Sequence, residues 1–448
     1  MSNKSKLSDF ISIKHGFAFK GEFISTEENE NCLLTPGNFA IGGGFKSDKF
    51  KFYTGDVPSD YILNSDDLIV TMTDLSKDAD TLGYSALVPN IQNKQMLHNQ
   101  RIGLVIFIND ELDKEYLYFL MRSKEYRHHV VSTATGSTVK HTSPSKILSF
   151  EFDKPTLEQQ KKIAKYLLSF ENKIQLNTQT NQTLEQIAQA IFKSWFVDFD
   201  PVKAKIEALA NGGTKADAER AAMQIISGKT DAELTQMQQT NPDAYKTLEK
   251  TAALFPSEMV ESELGEVPKG WGVTNFGSVS VCFDNQRIPL SKQQREKKKG
   301  SIPYYGATSI MDYVDEAIFN GIYLLMGEDG SVIKNDGTPF LQYIWGRSWI
   351  NNHAHVLQGK GSVSTEHLML FLSCTNISAY VTGAVQLKLN QKNMNSIPFL
   401  LATDDVNSLF YEKIKFLYEK IRANSEENDF LIKIRDSLLP KLLSGDLG

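Results

Sequence analysis

Three cysteines are all this chain has, and Cys32, Cys282 and Cys374 stand far apart with no Cys-x-x-Cys or Cys/His spacing around them. Neither a disulfide framework nor a zinc site is indicated, so reduced and mostly buried thiols are expected. Long apolar runs are missing too. Nothing approaches the roughly 18 residues of a membrane span, and the start MSNKSKLSDF has no apolar signal-peptide core. A cytoplasmic location is expected. Positive charge is not in excess, since 48 Lys plus Arg stand against 54 Asp plus Glu, a net charge of -6. That balance speaks mildly against nucleic acid as a partner of the chain as a whole, because phosphate contacts come from Lys and Arg.

Catalytic signatures are equally scarce. No [DN]PP[YF] tetrapeptide for amino-methyl transfer occurs; DFDP at Asp198 and NPD at Asn241 lack the aromatic that would hold a flipped base. No GxxxxGK[ST] phosphate loop occurs, and Gly42 to Gly44 has no lysine to reach a phosphate. His353 and His355 show no third ligand nearby, which favours a packed or DNA-facing pair over a metal site. His128 and His129 sit in a helical run, and GEDG at Gly327 reads as a turn. The expectation is a chain that binds without catalysing, with no metal of its own.

What the chain does have is a repeat. Lys173, Ile174, Asn177, Asn181, Leu184 and Ile187 recur as Lys420, Ile421, Asn424, Asn428, Leu431 and Ile434, at a constant offset of 247 residues. The match reaches upstream, where Thr135-Gly136 returns as Thr382-Gly383 and Phe152 as Phe399. A strand-rich stretch followed by a long amphipathic helix has been duplicated. In the first copy Ile163, Leu167, Phe170, Ile174, Asn177, Asn181, Leu184, Ala188, Ile191 and Trp195 step by four and three. That spacing lays one stripe along a helix facing a partner helix. The second stripe, Phe410 to Leu442, repeats it with one charged departure at Arg435. Antiparallel pairing with centres aligned would set Asn177 against Asn428 and Asn181 against Asn424. Buried amides in such a seam fix register, since a slip would leave them facing hydrocarbon at roughly 1 to 3 kcal/mol each. The alternative is that they face solvent where the helices splay.

A length of 448 residues with 41% apolar and 23% charged composition suits a soluble protein of two or three domains. The expected division is a strand-rich domain over 1–155, a long helix over 156–200, a connector over 201–270, a second strand-rich domain over 271–401 and a second long helix over 402–448. The connector is expected to hold short helices over Ala216–Ser227 and around Tyr245–Leu254.

LEQQKKIAKYLLSFENKIQLNTQTNQTLEQIAQAIFKSWFVDFDPVKAK, FPSEMVESELGEVPKGW and RDSLLPKLLSGDL resemble the specificity subunit of type I restriction-modification enzymes. The resemblance covers both helices, the connector and the plan of both strand-rich regions. It implies an α+β fold in which two target recognition domains are held apart by two antiparallel helices, each domain reading one half of a split, asymmetric site in double-stranded DNA. It implies docking of two adenine-N6 methyltransferase subunits and of ATP-driven restriction/translocase subunits. S-adenosylmethionine, ATP and Mg would belong to those partners, leaving this chain without a cofactor. A seam from Ile163 to Trp195 spans roughly 50 Å at about 1.5 Å per residue, enough to seat two readers about 34 Å apart, one turn of B-DNA. Two other classes stay open: an adaptor built on the coiled coil, and a stand-alone methyltransferase or nuclease with unrecognised motifs.

Base edges are read by Arg, Lys, Asn and Gln, and phosphates are gripped by Ser, Thr, Lys and backbone N–H groups. In the first domain TGSTVKHTSP offers Ser137, Thr138, Lys140 and His141, although a turn feeding the long helix is an equal reading. The second domain has TGAVQLKLN instead, without hydroxyls at Ala384 and Val385. Lys20 in GFAFKG and the run Asn99, Gln100, Arg101 are further candidates. In the second domain DNQRIPLSKQQREKKKG supplies Asn285, Arg287, Lys292, Arg295, Lys297, Lys298 and Lys299, followed by Tyr304 and Tyr305. A mobile basic loop beside aromatics suits a phosphate clamp, while a charge run is as readily a solvated surface. Arg347, Asn351 and Asn352 are placed to reach bases or to cap turns. Residues 271–401 hold 11 Lys plus Arg against 9 Asp plus Glu, and residues 1–155 hold 17 against 20, so neither domain is strongly basic.

Overall fold

The computed structural model describes residues 4–76, 79–383 and 386–443. Ala384 and Val385, on which the difference between the two Thr-Gly loops was placed, lie outside them. The chain divides into two compact units, residues 1–177 with 426–448, and residues 178–425. Each unit contains a strand-rich domain and a length of both long helices, which span Leu157–Phe192 and Asp404–Leu443.

The first unit is built on a four-stranded antiparallel sheet in the spatial order Ile11–His15, Ile102–Phe107, Leu68–Thr71, Ser85–Leu87. The unbroken apolar run of Leu68–Thr71 follows from burial on both faces. Leu68 and Val70 pack into the cluster that holds Leu117 and Phe119 of the helix Lys114–Leu120, whereas Ile69 packs with Cys32, Phe52 and Met96 of a second sheet. That second, five-stranded sheet contains the parallel pair Asn31–Leu33 and Gln95–Leu97.

The second unit repeats the plan. Its sheet runs Ser280–Cys282, Ala354–Gly359, Tyr323–Gly327, Leu341–Ile344. Even the register repeats: Ile102 opposite Thr71 and Leu104 opposite Ile69 have their counterparts in Ala354 opposite Gly327 and Val356 opposite Leu325. Leu324 and Met326 point to one core and Leu325 to another, for the same two-faced reason. A parallel pair again occurs in its second sheet, between Lys299–Tyr305 and Arg347–Ile350.

Within each unit the long helices pair antiparallel. In the first, Ile163 and Leu167 are buried and Arg435 meets Glu171 at 3.1 Å, so the charged position of the stripe is matched by an acid. The same Glu171 accepts from Arg122 and from the Tyr118 hydroxyl at 2.8 Å, which ties the domain to both helices. In the second unit Ala188, Trp195, Phe410, Ile414 and Ile421 fill the seam, and the corresponding tie is Glu366 with Tyr343 and Arg422. Each unit holds one pair of the amides. Asn177 Nδ2 donates to Asn428 Oδ1 at 3.0 Å and to Glu427 at 2.8 Å in the first unit. In the second, Asn424 Nδ2 donates to Asn181 Oδ1 at 2.8 Å, and Asn181 reaches Ser425 and the Ile421 carbonyl. Asn177 and Asn424 are buried, so the amides do not splay into solvent.

After a π-helical turn at Lys193–Val197 the connector forms four helices, Asp200–Ala210, Lys215–Ser227, Asp231–Thr240 and Pro242–Ala253, then the hairpin of Met259–Ser262 and Gly265–Pro268. The first and third of the four were not expected. The third carried its signal as a capping box, Thr230 and Glu233 bonding reciprocally at its start, and the first as Pro201 in its opening turn. Burial of the cysteines is also less uniform than expected, with Cys32 buried, Cys282 half-buried and Cys374 exposed. Among the described residues no helix is long and apolar enough to cross a membrane.

Candidate nucleic-acid interface

Three of the segments singled out in the first domain lie side by side, through backbone hydrogen bonds that no local pattern discloses. The turn Asn99–Arg101 links a strand of one sheet, Gln95–Leu97, to a strand of the other, Ile102–Phe107. The Phe17 N–H donates to the His98 carbonyl at 2.8 Å and the Gln100 N–H to Phe17 at 2.9 Å, which brings in the segment carrying Lys20. On the other side the Met72 N–H donates to the Arg101 carbonyl at 2.9 Å, and the Thr142 N–H to Met72 at 3.0 Å, which brings in the Thr-Gly loop. The Asn99 side chain accepts from the Arg101 N–H at 3.0 Å. This Asx turn fixes the backbone and leaves the exposed Gln100 and Arg101 side chains without partners among the described residues.

The loop itself closes where Thr135 and His141 exchange backbone bonds of 2.9 and 2.8 Å. Gly136 has φ +97°, and a Cβ there would lie 1.9 Å from the Val139 carbonyl oxygen, so only glycine fits. Ser137, Thr138 and His141 are exposed, Lys140 is half-buried, and His141 Nδ1 lies 3.1 Å from the Thr73 hydroxyl. Behind the loop, Asp74 is buried and accepts from the Ser76 and Thr81 backbones and the Thr81 hydroxyl. Burial alone would raise its carboxyl; those bonds outweigh it and hold the group below the usual carboxylate range.

The second domain rebuilds the frame with other side chains. The Glu328 N–H donates to the His353 carbonyl and the Leu389 N–H to Glu328, both at 2.9 Å, in the places of Met72–Arg101 and Thr142–Met72. The Asn351 side chain accepts from the His353 N–H at 2.8 Å, as Asn99 does from Arg101. Thr382 and Lys388 close the second loop at 2.8 and 2.7 Å, and Gly383 at φ +93° would put a Cβ 2.1 Å from the Gln386 carbonyl oxygen. Asn351–His353 is therefore the counterpart of Asn99–Arg101. Asn352 is exposed, and His353 is half-exposed with Nδ1 3.8 Å from Asp329. His353, taken from sequence only as half of a histidine pair, belongs to this turn.

Several of the second-domain candidates are consumed inside the fold. Arg287 pairs with Glu328 and Asp284 and donates to the Ala354 carbonyl. His355 is buried, with Nδ1 2.5 Å from Asp284 and Nε2 2.8 Å from the Leu389 carbonyl. Cys282, Asp284 and His355 bring their ligand atoms within 4.8 Å of one another, so the histidine pair does have further ligand-type residues close by. Both His355 nitrogens are already engaged, and Arg287 occupies the charge-balancing position. Burial pushes Asp284 up, yet the hydrogen bond and charge of His355, with Arg287, leave it lowered; burial pushes the Cys282 thiol to about 12.

The basic stretch is ordered, and not the expected loop. Residues Lys292–Lys297 form a helix capped by Ser291, and Lys299 begins a strand. The hairpin with Ile310–Val314 sets Asp312 beneath Arg295 and Lys299, at 3.1 and 2.6 Å, while Lys298 pairs with Glu316 at 2.7 Å. Lys292 and Lys297 are exposed, with no ion pair among the described residues. Tyr304 is 1% exposed and its hydroxyl accepts from the Leu290 N–H; Asn351 is buried as the turn's cap; Tyr305 is half-buried; Asn285 and Arg347 are exposed.

Comparison with known proteins follows this geometry. The family model of the type I restriction modification DNA specificity domain matches residues 2–186 and 268–429, one match for each half of the repeat. The HindI type I restriction enzyme specificity subunit of Haemophilus influenzae is 34% identical over 367 residues, covering 74% of this chain and 77% of that protein. The MjaIX specificity subunit of Methanocaldococcus jannaschii is 23% identical over 386 residues, covering 82% and 75%. The crystal structure of the type I restriction-modification S subunit from M. genitalium has the same fold, with a TM-score of 0.51 at 15% identity over 98% of this chain and 96% of that one. The chain belongs to the family of type I restriction-modification DNA specificity subunits.

Proposed function

We propose that this chain is the non-catalytic DNA-recognition subunit of a type I restriction-modification complex, in which each strand-rich domain reads one half of a bipartite, asymmetric site in double-stranded DNA. The helix pair sets the gap between half-sites and docks two methyltransferase subunits, which restriction/translocase subunits join. S-adenosylmethionine, ATP and Mg belong to those partners. The observation that carries this reading is the doubled frame: the same Asx turn and the same Thr-Gly loop occur in both domains with different exposed side chains. Two readers of one kind and different content are what a split asymmetric site requires. In the first domain Gln100, Arg101, Ser137, Thr138, Lys140, His141 and Lys20 form the face; in the second, Asn352, Asn285, Lys292, Lys297 and Arg347 are the groups free to serve. Asn99 positions its turn. The Asn pairs hold helix register, since a slip would unpair buried amides.

The test uses the chain assembled with its methyltransferase partner, DNA and labelled S-adenosylmethionine, with methylated sites mapped. A bipartite asymmetric motif with a fixed gap is expected. Methyl transfer by this chain alone, or methylation by the complex without sequence preference, would contradict the reading.

A further inference from the structure

Which side chains separate one half-site from the other follows from superposing the two frames. The turn joining the two sheets of each domain begins with an asparagine whose side chain accepts from the N–H two residues on, Asn99 from Arg101 at 3.0 Å and Asn351 from His353 at 2.8 Å. Its third residue then accepts, through its carbonyl, the N–H of Met72 or of Glu328. The backbone is thus held from both sides, and the second and third side chains leave it from equivalent points. Gln100 and Arg101 occupy those points in the first domain, Asn352 and His353 in the second. Beside each turn, the Thr-Gly loop reaches the same neighbouring strand: His141 lies opposite Thr73 and Lys388 opposite Asp329.

We propose, on the basis of the DNA-recognition reading above, that Gln100–Arg101 and Asn352–His353 are corresponding specificity-determining pairs, which contact base edges at equivalent places in the two half-sites. Their chemistry differs in the way base edges do. Arginine presents a planar fork that matches the O6 and N7 acceptors of guanine, and glutamine or asparagine matches the N6 donor and N7 acceptor of adenine. Histidine cannot make the arginine's two-pronged contact. The first domain therefore prefers a G·C pair at the position Arg101 reaches. The second has no guanidinium there, and His353, 3.8 Å from the Asp329 carboxylate, presents a single imidazole edge. In the first domain the Thr-Gly loop, with its backbone amides and hydroxyls, holds phosphate beside the pair.

The experiment maps methylation by the complete complex carrying Gln100→Ala with Arg101→Ala, Asn352→Ala with His353→Ala, and the exchange Asn352→Gln with His353→Arg. Each Ala pair should relax one or two base positions in a single half-site, with discrimination there falling roughly 10- to 100-fold and the other half-site unchanged. The exchange should move the second half-site toward guanine at the corresponding position. The conservative Arg101→Lys, which keeps charge but loses the fork, should weaken discrimination without abolishing methylation, and so covers the case in which an Ala pair does not fold. An unchanged motif in the Ala pairs and the exchange, with methylation intact, overturns this assignment while leaving the DNA-recognition reading in place. Wild-type methylation without a bipartite motif overturns that reading itself and the assignment with it.

Discussion

Gln100 and Arg101 leave the first domain from the same turn that carries Asn352 and His353 in the second, and beside them Gly136 and Gly383, at φ +97° and +93°, each lie close against a carbonyl oxygen. Around these points the two domains diverge. The first keeps hydroxyls and an exposed histidine on its loop; the second surrounds its frame with ion pairs, Arg287 to Glu328, Arg295 to Asp312 and Lys298 to Glu316. The comparison teaches that backbone bonds and two glycines carry the common part of the site, so that outward side chains are free to differ without cost to the fold.

The sharpest way to break the equivalence is through the ties to the helices. Glu171 neutralises Arg122, only 4% exposed, and meets Arg435. Glu171→Ala leaves a buried cation unpaired and should destabilise the first unit by about 3 kcal/mol, seen by thermal unfolding and by hydrogen exchange confined to that unit. Glu366→Gln should do the same, less strongly, in the second, where the Tyr343 hydroxyl remains beside Arg422. Next come the glycines: Gly136→Ala and Gly383→Ala force a side chain into the left-handed region against a carbonyl. Each should cost about 1 to 3 kcal/mol locally and weaken binding to one half-site, measured by titrating the complex with duplexes. A silent Gly383→Ala would show that the second loop has lost the role.

A third contrast is titratable. His367 follows the cap of its helix as Tyr116 does in the first domain, and it is packed among Phe192, Phe196, Phe399 and Phe410. Burial lowers its pKa from 6.5 to about 3. Because the folded value is depressed, the unfolded chain binds a proton first. Stability contributed by the neutral ring is complete above pH 6.5 and falls as pH drops toward 3, by up to about 1.4 kcal/mol per pH unit. His367→Tyr should flatten that slope in denaturant titrations between pH 4 and 6.5; an unchanged slope would assign the dependence elsewhere. Smallest is the effect of the unpaired lysines. Lys292→Ala with Lys297→Ala should reduce the salt slope of DNA binding by about 0.9 per lost phosphate contact, without altering the motif.

The helices were legible because four-three spacing and a gapless repeat are properties of one segment at a time. Even the partners Asn177–Asn428 and Asn181–Asn424 followed from centring two stripes. The sheets were not, because strands as short as Gln95–Leu97 pair across distant sequence, with Asn31–Leu33 on one side and Ile62–Leu63 on the other. For the site, composition marked Asn99–Arg101 and Thr135–His141 but not their adjacency, which runs through Met72. Arg287, Arg295 and Tyr304 looked like surface contacts because their partners, Glu328, Asp312 and the Leu290 backbone, are remote or unremarkable in sequence.

That each domain reads its own half-site is tested most directly by binding of the assembled complex to duplexes in which one half at a time is scrambled, using wild type and Arg101→Ala. The account predicts that the substitution and scrambling of the first half-site together cost less than the sum of their separate penalties, while scrambling of the second half-site still adds its full penalty. Penalties that add for both half-sites alike would mean that Arg101 does not read the first half, and the one-domain, one-half-site division would be wrong.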